Sequence, residues 1–379
     1  MTSRRRVVVI GGGIAGTSAA WALAEHHDVT LVETERELGV HATGRSAAIL
    51  SETVGHRTVC ALARASRPFL EQPPVGFADH PLTAPRGLLW IGRREDTALL
   101  DQIAAMAASG VAPTARRVDP EEALRLVPAL RPAAVDGGGV WEPDARAVDV
   151  AGLLAAYARG ARHRGAHQRL GAPVRACTPR GDGWTVLLDD DTLVADVVVN
   201  AAGAWGDAVA TSAGITPLGL QPLRRTACLV PAPDEVASWP LVMDVGERCY
   251  FEPESGGLLL SPADEHPSDP VDARPETEDV AWALEMLAET TTLDVRTVRR
   301  EWAGLRTFTP DRAPALGWDG GAPGFCWLVG QGGAGIKSAP AMAAAVAAVV
   351  GDRPWPADLP ALGVAPADLD PARFVPTPR

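Results

Sequence analysis

Gly11-Gly12-Gly13-Ile14-Ala15-Gly16 lies between a β-branched run, Val7–Ile10, and an alanine-rich segment, and it reads G-x-G-x-x-G. The chemistry of this spacing is dinucleotide binding. Gly11 permits a tight turn, Gly13 lets backbone approach a pyrophosphate, and Gly16 lets helix and strand pack closely. The helix opening at Ile14 and Ala15 supplies amides and a positive dipole end for the phosphates. Glu33 closes the next strand-like run, 22 positions after Gly11. That is near the spacing of about 20 at which a carboxylate accepts hydrogen bonds from the adenosine ribose. The fingerprint alone leaves FAD and NAD open. A second glycine-rich run, Gly330 to Ile336, is followed by Lys337, the only lysine in the chain. His163 and His167 are four apart but lack a partner ligand, so no metal is expected. No hydrolase nucleophile elbow or P-loop is present. The cysteines (Cys60, Cys177, Cys228, Cys249, Cys326) form no CxxC pair, which rules out a zinc ribbon and fits a reducing compartment.

The elements that must hold these residues follow from the hydrophobic pattern. Val7–Ile10, Val29–Val32, Val197–Val199 and Cys326–Val329 are short apolar runs of the kind found in parallel strands buried on both faces. Ile14–Glu25 reads as the helix between the first two. Three strand–glycine–helix passes, far apart in sequence, predict one nucleotide-binding unit assembled from distant pieces. Elsewhere, Gln72–Pro85 carries four prolines and reads as a crossover loop. Asp119-Pro120-Glu121-Glu122 is a helix start, with a capping Asp and Pro at the first helical position. Asp149 opens a helix through Tyr157, and Gly181-Asp182-Gly183 marks a hairpin. Thr277–Thr290 reads as a helix, and runs near Arg224–Val230 and Cys249–Glu252 fit an antiparallel sheet.

Composition bounds the class. At roughly 150 residues per domain, 379 residues make two or three domains. Gly (38) and Pro (33) together stay below the quarter or so of a chain that marks disorder. A net charge of −12 without a basic stripe excludes nucleic acid as a partner. Arg4-Arg5-Arg6 before an apolar run imitates a secretory signal, but three glycines and a second strand follow at once. No run reaches the roughly 18 apolar residues of a membrane span; the longest, Ala341–Val350, reads as a packed helix. A cytoplasmic location is expected.

Four ordered motifs carry a family resemblance: His41-Ala42-Thr43-Gly44-Arg45-Ser46-Ala47-Ala48, Asn200-Ala201-Ala202-Gly203-Ala204-Trp205, Trp302-Ala303-Gly304-Leu305-Arg306 and Gly330 to Ile336. With them the chain, from about Val7 to Ala343, resembles the FAD-dependent D-amino acid dehydrogenases. It is most similar to the D-arginine dehydrogenase branch of the D-amino acid oxidase, glycine oxidase and sarcosine oxidase superfamily. The resemblance implies an α/β fold with an α+β second domain. A Rossmann-like FAD-binding domain (1–85, 144–218, 303–379) would stand beside a substrate domain with a mostly antiparallel sheet (86–143, 219–302). It implies non-covalent FAD, since no cysteine lies in Gly304–Asp311, where sarcosine oxidases attach flavin. Thr43, Arg45, Ser46, Ala47 and Ala48 would hold the diphosphate and ribityl chain, and Val174 the adenine. Ala202, Gly203, Trp205, Gly304, Gly335 and Ile336 would complete the cofactor site, with Gly332 and Gly333 against the flavin pyrimidine ring.

For the substrate, the resemblance implies that Arg225, Tyr250 and Arg306 grip a carboxylate, with Gln331 in the pocket and Arg224 left on the surface. Leu88, Val54 and Ile49 stand where cation-preferring relatives carry an acid, a lid tyrosine and a histidine, which implies an apolar pocket. Glu52 and Glu247, near lid segments, are the groups able to reverse that preference. Lys337 stands where sarcosine-oxidase-like relatives place a lysine on the substrate carboxylate; otherwise it is a solvated lysine at a helix start. The expected reaction is oxidative deamination of an apolar D-amino acid to the 2-oxo acid and ammonia. Electrons would pass on to a quinone-type acceptor or dioxygen, and the absence of a second lysine favours a dehydrogenase. The alternatives are a dioxygen-using oxidase of N-methyl or cyclic secondary amino acids and a catalytically idle flavoprotein scaffold.

Overall fold

A computed structural model describes residues 4–374. Its first layer is a six-stranded sheet in the order Ala315–Trp318, Phe325–Val329, Val197–Asn200, Arg6–Ile10, Asp28–Val32, His167–Arg169. All neighbours are parallel except Ala315–Trp318, which runs antiparallel to Phe325–Val329. Side chains alternate between the two faces, and both faces are covered. Val7, Val9, Leu31 and Val199 pack with Ala20, Leu23, Ala345 and Val346 of helices Ile14–Leu23 and Gly335–Val350. Val8, Ile10, Val198 and Trp327 pack instead with Trp184 and Val186 of a three-stranded antiparallel sheet, Val174–Arg180, Gly183–Leu188 and Thr192–Ala195. Continuous apolar strands are the sequence mark of this two-sided burial.

The second layer is a large sheet of ten strands. Its main path runs Gln331–Gly332, Arg300–Phe308, Gln221–Val230, Gly257–Ser261, Tyr250–Glu254, Leu241–Asp244, Leu88–Ile91, Gly139–Glu142, Arg116–Val118. Pairing is antiparallel except between Leu241–Asp244 and Leu88–Ile91. One face buries Leu89, Val242, Phe251 and Leu260 against Ala283 and Leu287 of helix Thr277–Thr290. The other face looks towards the parallel sheet. The registers put Arg306, Gly304, Arg225, Tyr250, Met243, Leu88 and Glu142 on that same face, one after another across the strands.

Local signals in the sequence map onto local structure. Asp119 caps Pro120–Leu126 by accepting from the Glu122 N–H, and Asp149 caps Val150–His163 by accepting from that of Gly152. Gly181 and Asp182 form a two-residue turn, with Gly183 paired to Arg180. Four expectations shift. The helix from Asp149 continues past Tyr157 to His163, because Leu153, Ala156, Tyr157 and Ala161 form one buried stripe. Helix Ile14–Leu23 stops short of Glu25. The proline-rich crossover ends in a strand, Thr83–Pro85, paired with Arg146–Val148, which also pairs with Ile49–Leu50. Arg300–Phe308 also passes through position 303 unbroken, paired along its whole length with Gln221–Val230. The antiparallel sheet therefore extends beyond the boundary expected at 302.

Glu252 lies on the inner face of strand Tyr250–Glu254 and is 5% exposed. Burial pushes its carboxyl up to about 7, partly opposed by the Arg86 charge. The folded state therefore binds this proton more tightly than the unfolded chain. The resulting stability is complete below the ordinary glutamate range and is lost as pH rises through about 7. We expect Tm to fall between pH 5 and 8, and Glu252→Gln to remove on the order of 2–3 kcal/mol of that dependence. A calorimetric pH series in which the variant keeps the wild-type slope would exclude this origin.

Candidate active site

A cavity of about 800 Å³ lies between the two main sheets, at the C-terminal ends of the parallel strands, where open α/β sheets bind ligands. Gly11, at φ +109°, makes the turn after the first strand, and a Cβ there would lie 2.4 Å from the Ala201 carbonyl oxygen. A Cβ on Gly16 would lie 1.8 Å from the Gly11 carbonyl oxygen, so this glycine is fixed by helix–strand packing and stands behind the cavity. Gly13 differs: its Cβ would meet only the Thr43 hydroxyl, at 3.2 Å. Protein neighbours hardly require a glycine here. The space it leaves belongs to the cavity, as a pyrophosphate needs.

Around this turn, Glu33 accepts from the Gly12 N–H at 2.5 Å and from that of Glu35 at 2.8 Å. The Thr43 hydroxyl accepts from the Ile14 N–H at 3.0 Å and keeps its own proton to donate. Ile14, Ala15, Ser46, Val174, Ala202, Gly203, Trp205 and Gly304 line the same cavity, with Gly332, Gly333, Gly335 and Ile336 at its other end. Arg45 departs from expectation. Its carbon chain lines the cavity, but its donors go to the carbonyls of Val40, Ala273 and Ala303 and to Asp272. The guanidinium ties loops together and has no fork free for a diphosphate. Ala47 packs beside Ala227, Tyr250 and Leu259, and the Ala48 carbonyl accepts from Val148; neither lines the cavity.

At the far end the antiparallel sheet supplies the polar groups. Gly304 is opposite Arg225 across the paired strands and Arg306 is two residues on, so both guanidinium groups share one face, and the glycine between them leaves room for Arg45. Arg306 Nη2 donates to the Tyr250 hydroxyl at 3.2 Å. The two guanidinium carbons lie 6.0 and 5.9 Å from the Tyr250 ring centre. Burial and the neighbouring Arg306 charge lower Arg225 to about 10. Its Nη2 meets Glu265 Oε1 at 3.0 Å, an oxygen it shares with Arg312. Arg225 Nε, Thr307 Oγ1 and Gln331 Nε2 are buried without a partner among the described residues, and all three residues line the cavity. Leaving such groups unpaired is costly, so this end calls for a ligand rich in acceptors. A flavin pyrimidine ring and a carboxylate both qualify. Arg224, one residue from Arg225, points to the opposite face, where it is mostly buried against Glu276 and Asp279 rather than solvated.

The pocket residues depart most. Lys337 is 4% exposed, and its ammonium donates to the carbonyls of Ser51 and Val54. It is neither solvated nor directed at a substrate carboxylate. Leu88, Ile49 and Val54 gather in one apolar cluster with Trp90 and Met243, and none of the three lines the cavity. Glu52 is buried against Arg64 and Arg67, and Glu247 is exposed, so neither reaches this pocket. Glu265, Thr307 and Met243 were not singled out from sequence. Thr307 adjoins Arg306, but nothing local marks Glu265 or Met243. Among the described residues, His163 and His167 join no cluster of possible metal ligands; one such group is Asp264, His266 and Asp279, on the outer side beside Arg224.

Comparison with known proteins resolves the choice of dinucleotide. The chain is 25% identical over 334 residues to the glycine oxidase of Geobacillus kaustophilus (strain HTA426), covering 84% of this chain and 85% of that one. It is 31% identical over 150 residues to the mitochondrial dimethylglycine dehydrogenase of Mus musculus, a match spanning 38% of this chain but 17% of that much longer protein. The crystal structure of glycine oxidase from Geobacillus kaustophilus superimposes with a TM-score of 0.82 at 25% identity, over 93% of this chain and 96% of the other. That of L-proline dehydrogenase from P. horikoshii gives 0.84 at 21% identity over 99% and 98%, a likeness of fold. The family described as FAD dependent oxidoreductase matches residues 6–349. Because that match runs through both sheets enclosing the cavity, the chain belongs to the FAD-dependent oxidoreductase (DAO) family, and the dinucleotide its glycine turn serves is FAD.

Proposed function

We propose that this enzyme oxidises the Cα–N bond of a D-amino acid with an apolar side chain. The observation that carries the reading is the set Arg225, Tyr250 and Arg306, gathered on one sheet face at the end of the cavity opposite the dinucleotide turn. Planar guanidinium forks suit bidentate recognition of a carboxylate, and the phenol adds a neutral donor. When bound, FAD supplies the two-electron acceptor for the Cα hydride. The chain's own residues do the positioning. Arg225 and Arg306 fix the carboxylate, and the start of helix Gly335–Val350 presents its positive end to the cavity. None of Arg225, Tyr250, Arg306, Thr307 and Gln331 is a carboxylate or a histidine, so the amine enters as the free base. The imino acid formed is hydrolysed by water to the 2-oxo acid and ammonia.

The apolar side chain is supported by the cluster of Leu88, Ile49, Val54 and Met243, which adjoins Tyr250 through Met243. A cationic side chain would lose its hydration there with no free acid to meet it, since Glu52 is paired with Arg67 and both oxygens of Glu142 are held by Ser51–Thr53. A second reading rests on the complete burial of Leu88 outside the cavity, which leaves little room beyond Cα. Glycine or an N-substituted glycine would then be the substrate, as the names of the glycine oxidase relatives and of a structural neighbour, iminodiacetate oxidase from Chelativorans sp. BNC1, suggest for those proteins.

Anaerobic bleaching of the flavin across D-leucine, D-alanine, D-arginine, glycine, sarcosine and iminodiacetate separates these readings. D-leucine or D-alanine should be fastest; preference for D-arginine overturns the apolar pocket, and preference for the glycines selects the second reading. Arg306→Met and Arg225→Met should each lower kcat/KM by about ten- to a few hundred-fold, the cost of about 1.5–3 kcal/mol for a lost charged hydrogen bond, with FAD retained. Wild-type kinetics in both would remove them from the site. Gly13→Leu should fold yet lose FAD, because its side chain enters the cavity; a variant that purifies with a full complement of FAD would show that the phosphates lie elsewhere.

A further inference from the structure

Ser51–Val54 has no regular secondary structure, yet two buried charged side chains converge on it. From one side Lys337 Nζ donates to the Ser51 and Val54 carbonyls, at 3.0 and 2.6 Å. From the other, Glu142 Oε1 accepts from the Glu52 N–H at 2.7 Å, and its Oε2 accepts from the hydroxyls of Ser51 at 2.7 Å and Thr53 at 2.6 Å. Trp90 Nε1 donates to the same Thr53 hydroxyl. The Glu52 side chain turns outward to Arg67 and Arg64. Lys337 and Glu142 are 4% and 1% exposed. Burying an ammonium and a carboxylate is costly unless every donor and acceptor is placed. Merely covering the segment would need only apolar side chains.

What the segment carries explains the arrangement. Ile49 precedes it and Val54 ends it, and both pack with Leu88 and Met243; Met243 in turn packs on Tyr250. The position of the 51–54 backbone therefore sets how the apolar cluster behind the cavity packs, through Met243, on Tyr250, which lines it. We propose that Lys337 and Glu142 are positioning residues that clamp Ser51–Val54 as a fixed wall, so that the clamp rather than a moving lid determines the size of side chain accepted. The specificity part of this inference rests on the amino acid reading above; the clamp itself does not.

Because Lys337 is the only lysine in the chain, it reports on the clamp without interference from other lysines. Wild-type holoenzyme is treated with N-hydroxysuccinimidyl acetate beside a free lysine peptide, and acetylation of the Lys337 peptide is read by mass spectrometry. Lys337 should remain unmodified while the reference peptide reacts fully, and Glu142→Gln should raise its labelling at least about tenfold. Labelling of wild-type Lys337 at the reference rate, or unchanged labelling in Glu142→Gln, overturns the clamp whatever the substrate proves to be. In Lys337→Met and Glu142→Gln holoenzymes, KM for D-leucine should change at least about tenfold more than KM for D-alanine, with kcat altered less than KM. Equal changes for both substrates, or none, overturn the role in specificity. If Lys337→Met fails to fold, Glu142→Gln and the wild-type labelling still decide.

Discussion

The register between Gln221–Val230 and Arg300–Phe308 is the constraint on which the site depends. It sets Gly304 opposite Arg225 and brings Arg306 to the same face two residues away. Like charges in a buried place repel, and burial together with the Arg306 charge lowers the pKa of Arg225. Among the described residues the carboxylate hydrogen-bonded to Arg225 is Glu265, and it is shared with Arg312. A slip of one residue in this pairing would turn one arginine to the helix-covered face and dissolve the site. The register is secured by nine consecutive residue pairs and by the alternation of buried and half-buried residues along Arg300–Phe308.

The two sheets meet at this pair of strands. Arg300–Phe308 belongs to the antiparallel sheet by its hydrogen bonds, yet Gly304 faces Arg45, and Trp302 Nε1 donates to the Arg45 carbonyl. Arg45 in turn holds the Ala273 and Ala303 carbonyls. A guanidinium with five donors in a fixed plane can bind several carbonyls at once, which an ammonium cannot do in the same geometry. The two ends of the cavity are thus joined by hydrogen bonds from side chains to backbone carbonyls rather than by a flexible linker. Positional precision of that kind is what a hydride transfer demands, because the reacting carbon must stand at a fixed distance from its acceptor.

Buried charge is used elsewhere for the same end. Lys337, Glu142 and Glu52 all lie within the protein, and each is met by donors or acceptors placed for it. At Glu252 burial pushes the carboxyl up to about 7 against the opposing Arg86 charge. Lys337 and Glu142 hold backbone in place, whereas Glu252 makes the fold sensitive to pH.

What the sequence determined by itself was local. Gly16, Asp119 and Asp149, and the Gly181-Asp182 turn each act on partners within a few residues, so type and spacing were enough to read them. The buried parallel strands were legible for the same reason, since two-sided burial leaves a continuous apolar run. Motif likeness identified the flavin family and pointed to Arg225, Tyr250 and Arg306, which the fold then brought to one face. The tertiary structure alone decided the fate of Arg45, Lys337 and Leu88. Lys337 meets Ser51 across 286 positions and Arg45 meets Ala303 across 258, and no local pattern encodes such a partner. Leu88 could have lined a pocket or filled a core; its neighbours Ile49, Val54 and Met243 come from two other stretches of chain, and their packing closed it off. Local hydrogen bonding is written in spacing, whereas the direction in which a long side chain spends its donors is settled only when distant segments pack.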